Sequence, residues 1–356
     1  MAETAVAEFE AHRARLFGIA YRMLGSASEA EDIVQEAYLR WERADRSAML
    51  APGPWLAKVV TNLSLNELTS ARVRRERYVG QWLPEPVLTA TSGADGRAGA
   101  GVGGAAGATP PLGPLETAEQ RDSVSFALLV LLERLTPPER AVFVLREAFA
   151  YPHREIAEVL EVSEANSRQL YRRAKQAVHG SALAARTASA GPTARTTPTA
   201  SAAPTAAAAP TAAVDGRSGS DQQPERERER WVGLVETFVT AAREGDLARL
   251  ERLLADDVVS YADGGGQVGT ARRPILGPSK VARYLAGGLT KFAAGVDLVP
   301  YEVNGGPALL ALAEGQLLGV VSLEVADGRI AELRISVNPD KLAYAARQLA
   351  VCRPVG

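Results

Sequence analysis

Arg168, Gln169, Arg172 and Arg173 stand on the outward side of the second helix of a helix-turn-helix that the sequence predicts within residues 151–178. An arginine fork matches the major-groove edge of guanine and a glutamine amide that of adenine, so such a stripe suits DNA reading. The first helix offers Ile156, Ala157 and Leu160 to one side. Ser163 is placed to cap the second helix, with Val162 before it as a hydrophobic staple. Ser167, Leu170, Ala174 and Ala177 recur at helical spacing and are expected to face inward. The outer stripe is Glu164, Arg168, Arg172 and Lys175. A solvated helical hairpin carries the same stripe, so this segment alone leaves both readings open.

Two further helices carry polar groups that invite an explanation. In the run from Glu31 to Trp41, Asp32, Gln35, Glu36 and Arg40 share one face while Ile33, Val34, Ala37, Tyr38 and Trp41 share the other. The polar face is either simply solvated or a charged docking surface for a basic partner. In the next helix Asn62 and Asn66 lie one turn apart, followed by Arg72, Arg74 and Arg75. Asparagine amides can pair with an unstacked base edge, and arginines can neutralise phosphates. The arginines equally suit a solvated helix end, where the dipole favours positive charge.

The elements that must position these groups follow from periodicity. Phe9, His12, Leu16, Ile19, Ala20 and Met23 form a helical stripe closed by Gly25. Ser28 and Glu31 have capping-box spacing for the second helix, and Pro52-Gly-Pro54 opens a third. Residues 87–115 and 186–224 shift to Gly, Ala, Thr and Pro and read as linkers. Helices are expected to resume between them, over 116–185. From about 225 the pattern changes to helices at 231–244, 247–254 and 279–292 with strands near 257–262, 267–275, 296–304, 307–313, 315–326 and 329–337. Asn304-Gly305 and Asp327-Gly328 are hairpin turns. This portion is therefore α+β with a curved, mostly antiparallel sheet.

The bulk properties bound the function. A chain of 356 residues with net charge −2 lacks the basic excess of a protein that grips DNA unaided, so any affinity is local and a larger partner supplies the rest. The single cysteine, Cys352, excludes an internal disulfide framework and fits a reducing compartment. No apolar run has membrane length and the amino terminus carries acids, so a cytoplasmic protein without membrane attachment is expected.

These segments together resemble an extracytoplasmic-function (ECF) sigma factor of bacterial RNA polymerase. Glu31-Asp-Ile-Val-Gln-Glu-Ala-Tyr-Leu-Arg-Trp41 is similar to the polymerase-docking part of a sigma-2 domain. Pro54-Trp-Leu-Ala-Lys-Val-Val-Thr-Asn-Leu-Ser-Leu-Asn66, with its basic tail, is similar to the part that melts the −10 element. Leu135-Thr-Pro-Pro-Glu-Arg140 through Val178 is similar to a sigma-4 domain, which reads −35. Trp82-Leu-Pro-Glu-Pro86, Asp263-Gly-Gly-Gly-Gln267 and Asn338-Pro-Asp-Lys-Leu342 resemble signatures of the ECF41-type group, whose members end in a SnoaL-like domain of the cone-shaped NTF2-like fold. The group's usual lysine after the three glycines is Gln267 here.

The resemblance implies a multidomain chain with two all-α units followed by an α+β unit. Their expected bounds are 5–86 for the sigma-2-like unit, 116–185 for the sigma-4-like helix-turn-helix and 225–350 for the SnoaL-like unit. It implies core polymerase as partner through Asp32, Gln35, Glu36 and Arg40. Promoter DNA is then met through Asn62, Asn66, Arg72, Arg74, Arg75, Arg168, Gln169, Arg172 and Arg173. Regulatory contacts between units are implied for Trp82, Pro84, Glu85, Pro86, Asp263, Gly264, Gly265, Gly266, Asn338, Pro339, Asp340 and Lys341, with Trp82 on a rigid, exposed segment. Some NTF2-like relatives are enzymes that use an Asp or an Asp-His pair, but no histidine follows His179. Asp256, Asp257 and Asp263 remain as carboxylates, yet no catalytic role, cofactor or metal is expected. The competing reading is a helix-turn-helix regulator fused to an NTF2-like enzyme or small-molecule sensor, and a ligand or regulator at the third unit stays open.

Overall fold

The computed structural model describes residues 2–45, 51–76, 78–89, 125–188, 223–292 and 295–352. The first unit is three helices, α1 (Ala2–Leu24), α2 (Ala27–Arg43) and α3 (Pro52–Glu76). Gly25, at φ 67°, breaks α1 from α2. The N-cap of α2 is Ser26, whose hydroxyl accepts from Glu29 N at 3.2 Å. The expected Ser28–Glu31 capping box is therefore not formed: the tight glycine turn starts the helix at Ala27, and Ser28 lies inside it.

The second unit holds α4 (Phe126–Leu132), α5 (Pro137–Phe143), a π-helical turn (Val144–Ala148), α6 (His153–Leu160) and α7 (Glu164–Ala188). Its expected onset near 116 lies outside the described residues. Ser163 Oγ caps α7 by accepting from Asn166 N at 3.2 Å. Ser167 and Ala174 are buried, and Leu170, Tyr171 and Val178 pack on the core. Ala177, expected inside, is exposed. The inward stripe keeps a 3.6-residue period, which after Ala174 returns at Val178.

The first two units are not held apart. α3 packs on α5 and α6, and α1 on α4 and the π-helical turn. One hydrophobic cluster contains Phe9, Leu16, Trp41 and Leu56 of the first together with Leu129, Leu145 and Tyr151 of the second.

The third unit comprises α8 (Gln223–Glu244), α9 (Leu247–Leu253), β1 (Leu254–Asp263), β2 (Ile275–Leu276), α10 (Pro278–Phe292), β3 (Val296–Val303), β4 (Gly306–Ala313), β5 (Gln316–Ala326), β6 (Arg329–Ser336) and α11 (Pro339–Cys352). The sheet order is β2-β1-β6-β5-β4-β3, antiparallel except for β1–β6. Asn304-Gly305 and Asp327-Gly328 turn two hairpins with positive φ at both positions, and Glu314-Gly315 turns a third. The strand expected at 267–275 shrinks to Ile275–Leu276, because Gly264–Gly266 fold into a turn that carries the following residues off the sheet.

Leu309 and Leu310, adjacent on β4, belong to different apolar clusters, so the two faces of the sheet have different partners. One face packs on Val235, Phe238, Leu250, Val281 and Leu285 of the helices α8 to α10. The other gathers Leu342 of α11, Phe126 of the second unit and Leu83 of the segment after α3. That second face sets the site.

Candidate functional site

Residues 78–89 run as an extended strap between the first and third units. At one end of it lies Asp263, the last residue of β1, 1% exposed. Its carboxylate accepts from Leu83 N at 2.8 Å, Lys341 Nζ at 2.7 Å, Gly265 N at 3.1 Å and the Tyr78 hydroxyl. The Lys341 ammonium also donates to the Leu83 carbonyl. Asn338 donates from Nδ2 to the Tyr78 hydroxyl at 2.8 Å, and its backbone N–H donates to the Asp263 carbonyl at 3.1 Å. The glycines are needed for this approach. A Cβ on Gly265, at φ 60°, would lie 2.4 Å from Asn338 Nδ2, and one on Gly264 2.2 Å from the Val268 carbonyl oxygen.

Trp82 stacks against two cations, with the Arg75 guanidinium 3.9 Å and the Lys341 ammonium 4.2 Å from its ring centroid. Three residues on, Glu85 turns the other way, into the first unit. Its buried carboxylate accepts from Ala27 N at 2.9 Å, Ser28 N at 3.0 Å, Ser26 Oγ at 2.7 Å and Ser28 Oγ at 2.8 Å. It thus supplies the negative charge that the N-terminus of α2 favours. Tyr21 donates to the Glu85 carbonyl at 2.6 Å and receives Asn304 Nδ2 at 2.6 Å, joining α1 to the β3–β4 turn. Burial drives the Tyr21 phenol well above its ordinary range, so it stays a donor.

The far end of the strap joins the sheet. Asn304 pairs with both polar groups of Val87, N to O at 2.9 Å and Oδ1 to N at 3.1 Å. Gln348 of α11 does the same for Leu88, at 2.9 and 3.2 Å. Leu88 bridges Val303 in antiparallel sense and Thr89 N donates to the Glu302 carbonyl at 3.1 Å, which extends the β3 edge. Beside the strap, Tyr344 of α11 stacks on Phe17 of α1 at 5.7 Å, and Arg347 pairs with Glu31 at 3.2 Å.

The first two units meet through buried charge. Glu133 binds both Arg75 and Arg140, the latter at 2.7 Å, and Arg140 Nε donates to the Arg22 carbonyl at 3.0 Å. Arg75 also donates to the Leu24 carbonyl. Phe149, beyond the π-helical turn, sits under the guanidinium groups of Arg15 and Arg22.

Residues 9–74 match the family model described as Sigma-70 region 2, and residues 125–178 match the one described as Sigma-70, region 4. The ECF RNA polymerase sigma factor SigJ of Mycobacterium tuberculosis is 34% identical over 360 residues, covering 99% of this chain and 97% of its own. The chain belongs to the ECF RNA polymerase sigma factors. The probable ECF sigma factor SigI of the same species is 30% identical, covering 94% of each chain. The crystal structure of M. tuberculosis SigJ superposes with a TM-score of 0.63 at 30% identity, over 95% of this chain and 98% of that one. The sigma factor thus carries regions 2 and 4 on its two helical units and an α+β third unit.

Of the residues singled out from this sigma factor's sequence, Trp82, Asp263 and Lys341 lie together at one end of the strap. Trp82 meets Lys341, its neighbour Leu83 meets Asp263 and Lys341, and Asn338 meets Tyr78, whereas Glu85 turns into the first unit and Asp340 lies outside and accepts from Gln267 Nε2 at 2.6 Å. Pro339 opens α11. Trp82 is half-buried rather than exposed, because Arg75, Lys341 and Gly25 close around it. Asp32, Gln35 and Arg40 are exposed on α2, with Glu36 half-buried and paired to Arg40 at 3.0 Å. Arg168, Gln169, Arg172 and Arg173 are exposed on α7, Arg168 with Glu164 at 2.5 Å. Asn66 is exposed and Asn62 half-buried on α3. The side chains of Arg72 and Arg74 lie outside the described residues. Arg75, expected to face DNA, is instead turned into the Glu133–Trp82 contact, since that position offers it an anion and an aromatic face at once. Asp256 and Asp257 are exposed, and among the described residues no cluster of His, Cys, Asp and Glu could hold a metal. No helix among them is long and apolar enough to cross a membrane.

Tyr21, Glu133, Asn304 and Gln348 were not singled out as functional. Asn304 carried a turn signal, and nothing local marked the other three.

Burial pulls the Lys341 ammonium down to about 8, against the opposing pull of Asp263. A lysine depressed when packed and ordinary when exposed favours the packed state above its exposed value and loses that contribution as pH falls through about 8. Between those limits wild-type stability is expected to rise with pH relative to Lys341→Met. Urea midpoints of the two proteins from pH 7 to 10 check this, and parallel profiles would refute it.

Proposed function

We propose that this sigma factor binds core polymerase and directs initiation at promoters, with its third unit acting in cis to hold the two promoter-reading units packed together. Core polymerase is engaged by Asp32, Gln35, Glu36 and Arg40, the −10 element by Asn62, Asn66, Arg72, Arg74 and Arg75, and the −35 element by Arg168, Gln169, Arg172 and Arg173. The third unit is an interaction module and not a catalyst, because its one fully buried carboxylate beside the glycine turn, Asp263, already receives a lysine and two backbone N–H groups.

The observation that carries the regulatory part is the position of Arg75. Its guanidinium is committed to Glu133, the Leu24 carbonyl and Trp82, so a phosphate can reach it only after those contacts break. The docking face of α2 and the outward stripe of α7 stay exposed meanwhile. Run-off transcription with purified core polymerase tests the whole reading. The full chain is expected to support a promoter-specific transcript, and a chain ending after Gln223 to show altered output. No transcript from any form of the protein overturns the initiation role, and identical output from both forms overturns control in cis.

Base reading by α7 has its own signature. Arg172→Ala is expected to weaken promoter binding by about 1–3 kcal/mol and to relax preference at one base pair of the −35 element. Binding across a set of single-base promoter variants measures both. A uniform loss across all variants reassigns Arg172 to a phosphate.

A further inference from the structure

The contacts of the strap divide unequally between backbone and side chain. The third unit takes up both main-chain polar groups of Leu83, through Asp263 and Lys341. It takes up both of Val87, through Asn304, and both of Leu88, through Gln348. Thr89 N adds a sheet hydrogen bond to the β3 edge. Between these points stand Pro84 and Pro86, which have no N–H to satisfy and arrive with φ already set. Leu83 and Leu88 fill the apolar cluster on the same face of the sheet. The Glu85 side chain, by contrast, makes its hydrogen bonds with the first unit. A surface that reads backbone along an edge strand and sinks spaced apolar side chains has the chemistry of a peptide-recognition groove.

We infer that the third unit is a peptide-binding module. Its groove, formed by Asp263, Lys341, Asn304, Gln348 and the β3 edge, accepts any extended segment with the pattern aromatic-Leu-Pro-x-Pro-Val-Leu-Thr, whether or not that segment belongs to this chain. The strap at residues 81–89 is its ligand in cis. A separate polypeptide bearing such a segment competes for the groove and releases the strap. This inference rests on the strap contacts alone and not on the role in initiation, so its test uses neither polymerase nor promoter.

The probe is a fluorescent nonapeptide of residues 81–89, followed by anisotropy against the full chain. In the wild type the groove is filled by an intramolecular ligand at an effective concentration on the order of millimolar, so the peptide binds poorly. Leu83→Asp places a carboxylate beside Asp263 and empties the groove without altering it, and Leu88→Pro removes the N–H that Gln348 receives. Each variant is expected to bind the peptide at least about tenfold more tightly than wild type does. The second variant keeps the test valid if the first fails to fold. Adding Gln348→Ala to either is expected to reverse the gain. A peptide carrying Glu85→Ala is expected to bind within about twofold of the parent, because the groove does not read that side chain. Strap variants that bind no better than wild type, or a scrambled peptide that binds equally, overturn the inference.

Discussion

Asp263→Ala is expected to detach the strap from the third unit and to shift that equilibrium by about two to four orders of magnitude. The substitution leaves the Lys341 ammonium buried without its anion, and Leu83 N and Gly265 N without their acceptor. Removing one member of a buried ion pair costs about 3–5 kcal/mol, mostly because the survivor is stranded in a low-dielectric site. Asp263→Asn retains an acceptor but not the charge, and is expected to fall between alanine and wild type. Limited proteolysis across residues 78–89 and small-angle scattering of the full chain measure the release. A scattering profile and cleavage rate equal to wild type in Asp263→Ala would show that the strap is held by something else.

Glu85→Ala is expected to destabilise the first unit by about 2–4 kcal/mol. Two backbone N–H groups at the start of α2 and the hydroxyls of Ser26 and Ser28 converge on its carboxylate, which is 7% exposed. Alanine removes the carboxylate on which those donors converge, and it removes the favourable charge at the helix N-terminus. Glu85→Gln keeps one accepting oxygen but sets an NH2 where the other oxygen accepted and removes the charge, so it is expected to recover less than half of the loss. Hydrogen exchange at the first turn of α2, together with the thermal midpoint, separates the two substitutions from wild type. Since α2 carries the proposed polymerase face, Glu85→Ala is also expected to weaken polymerase capture, whereas Asp263→Ala is not. Equal loss of polymerase affinity in both variants argues against α2 as the docking helix.

Much of this architecture was legible without coordinates, and for a common reason. The Ser163 cap, the Ser167–Ala174 stripe, the Gly25 break and the turns at Asn304-Gly305 and Asp327-Gly328 are all settled by groups within a few residues of one another. Two differences are of the same local kind. Ser26 rather than Ser28 caps α2, and Val178 rather than Ala177 packs inward. Residues 267–275 have strand-like composition, but they follow a glycine turn that packs closely against Asn338, far along the chain.

Local pattern and resemblance also marked Trp82–Pro86, Asp263–Gly266 and Asn338–Lys341 as special, each in its own segment. That Asp263 and Lys341 close on Leu83, that Glu85 caps a helix 57 residues earlier, and that Arg75 is withdrawn from solvent were decided only when the three units packed. Hydrogen bonds inside a turn or a helix are encoded by spacing. A buried charge finds its partner only where the surrounding apolar surfaces bring distant segments together and exclude the water that otherwise solvates both.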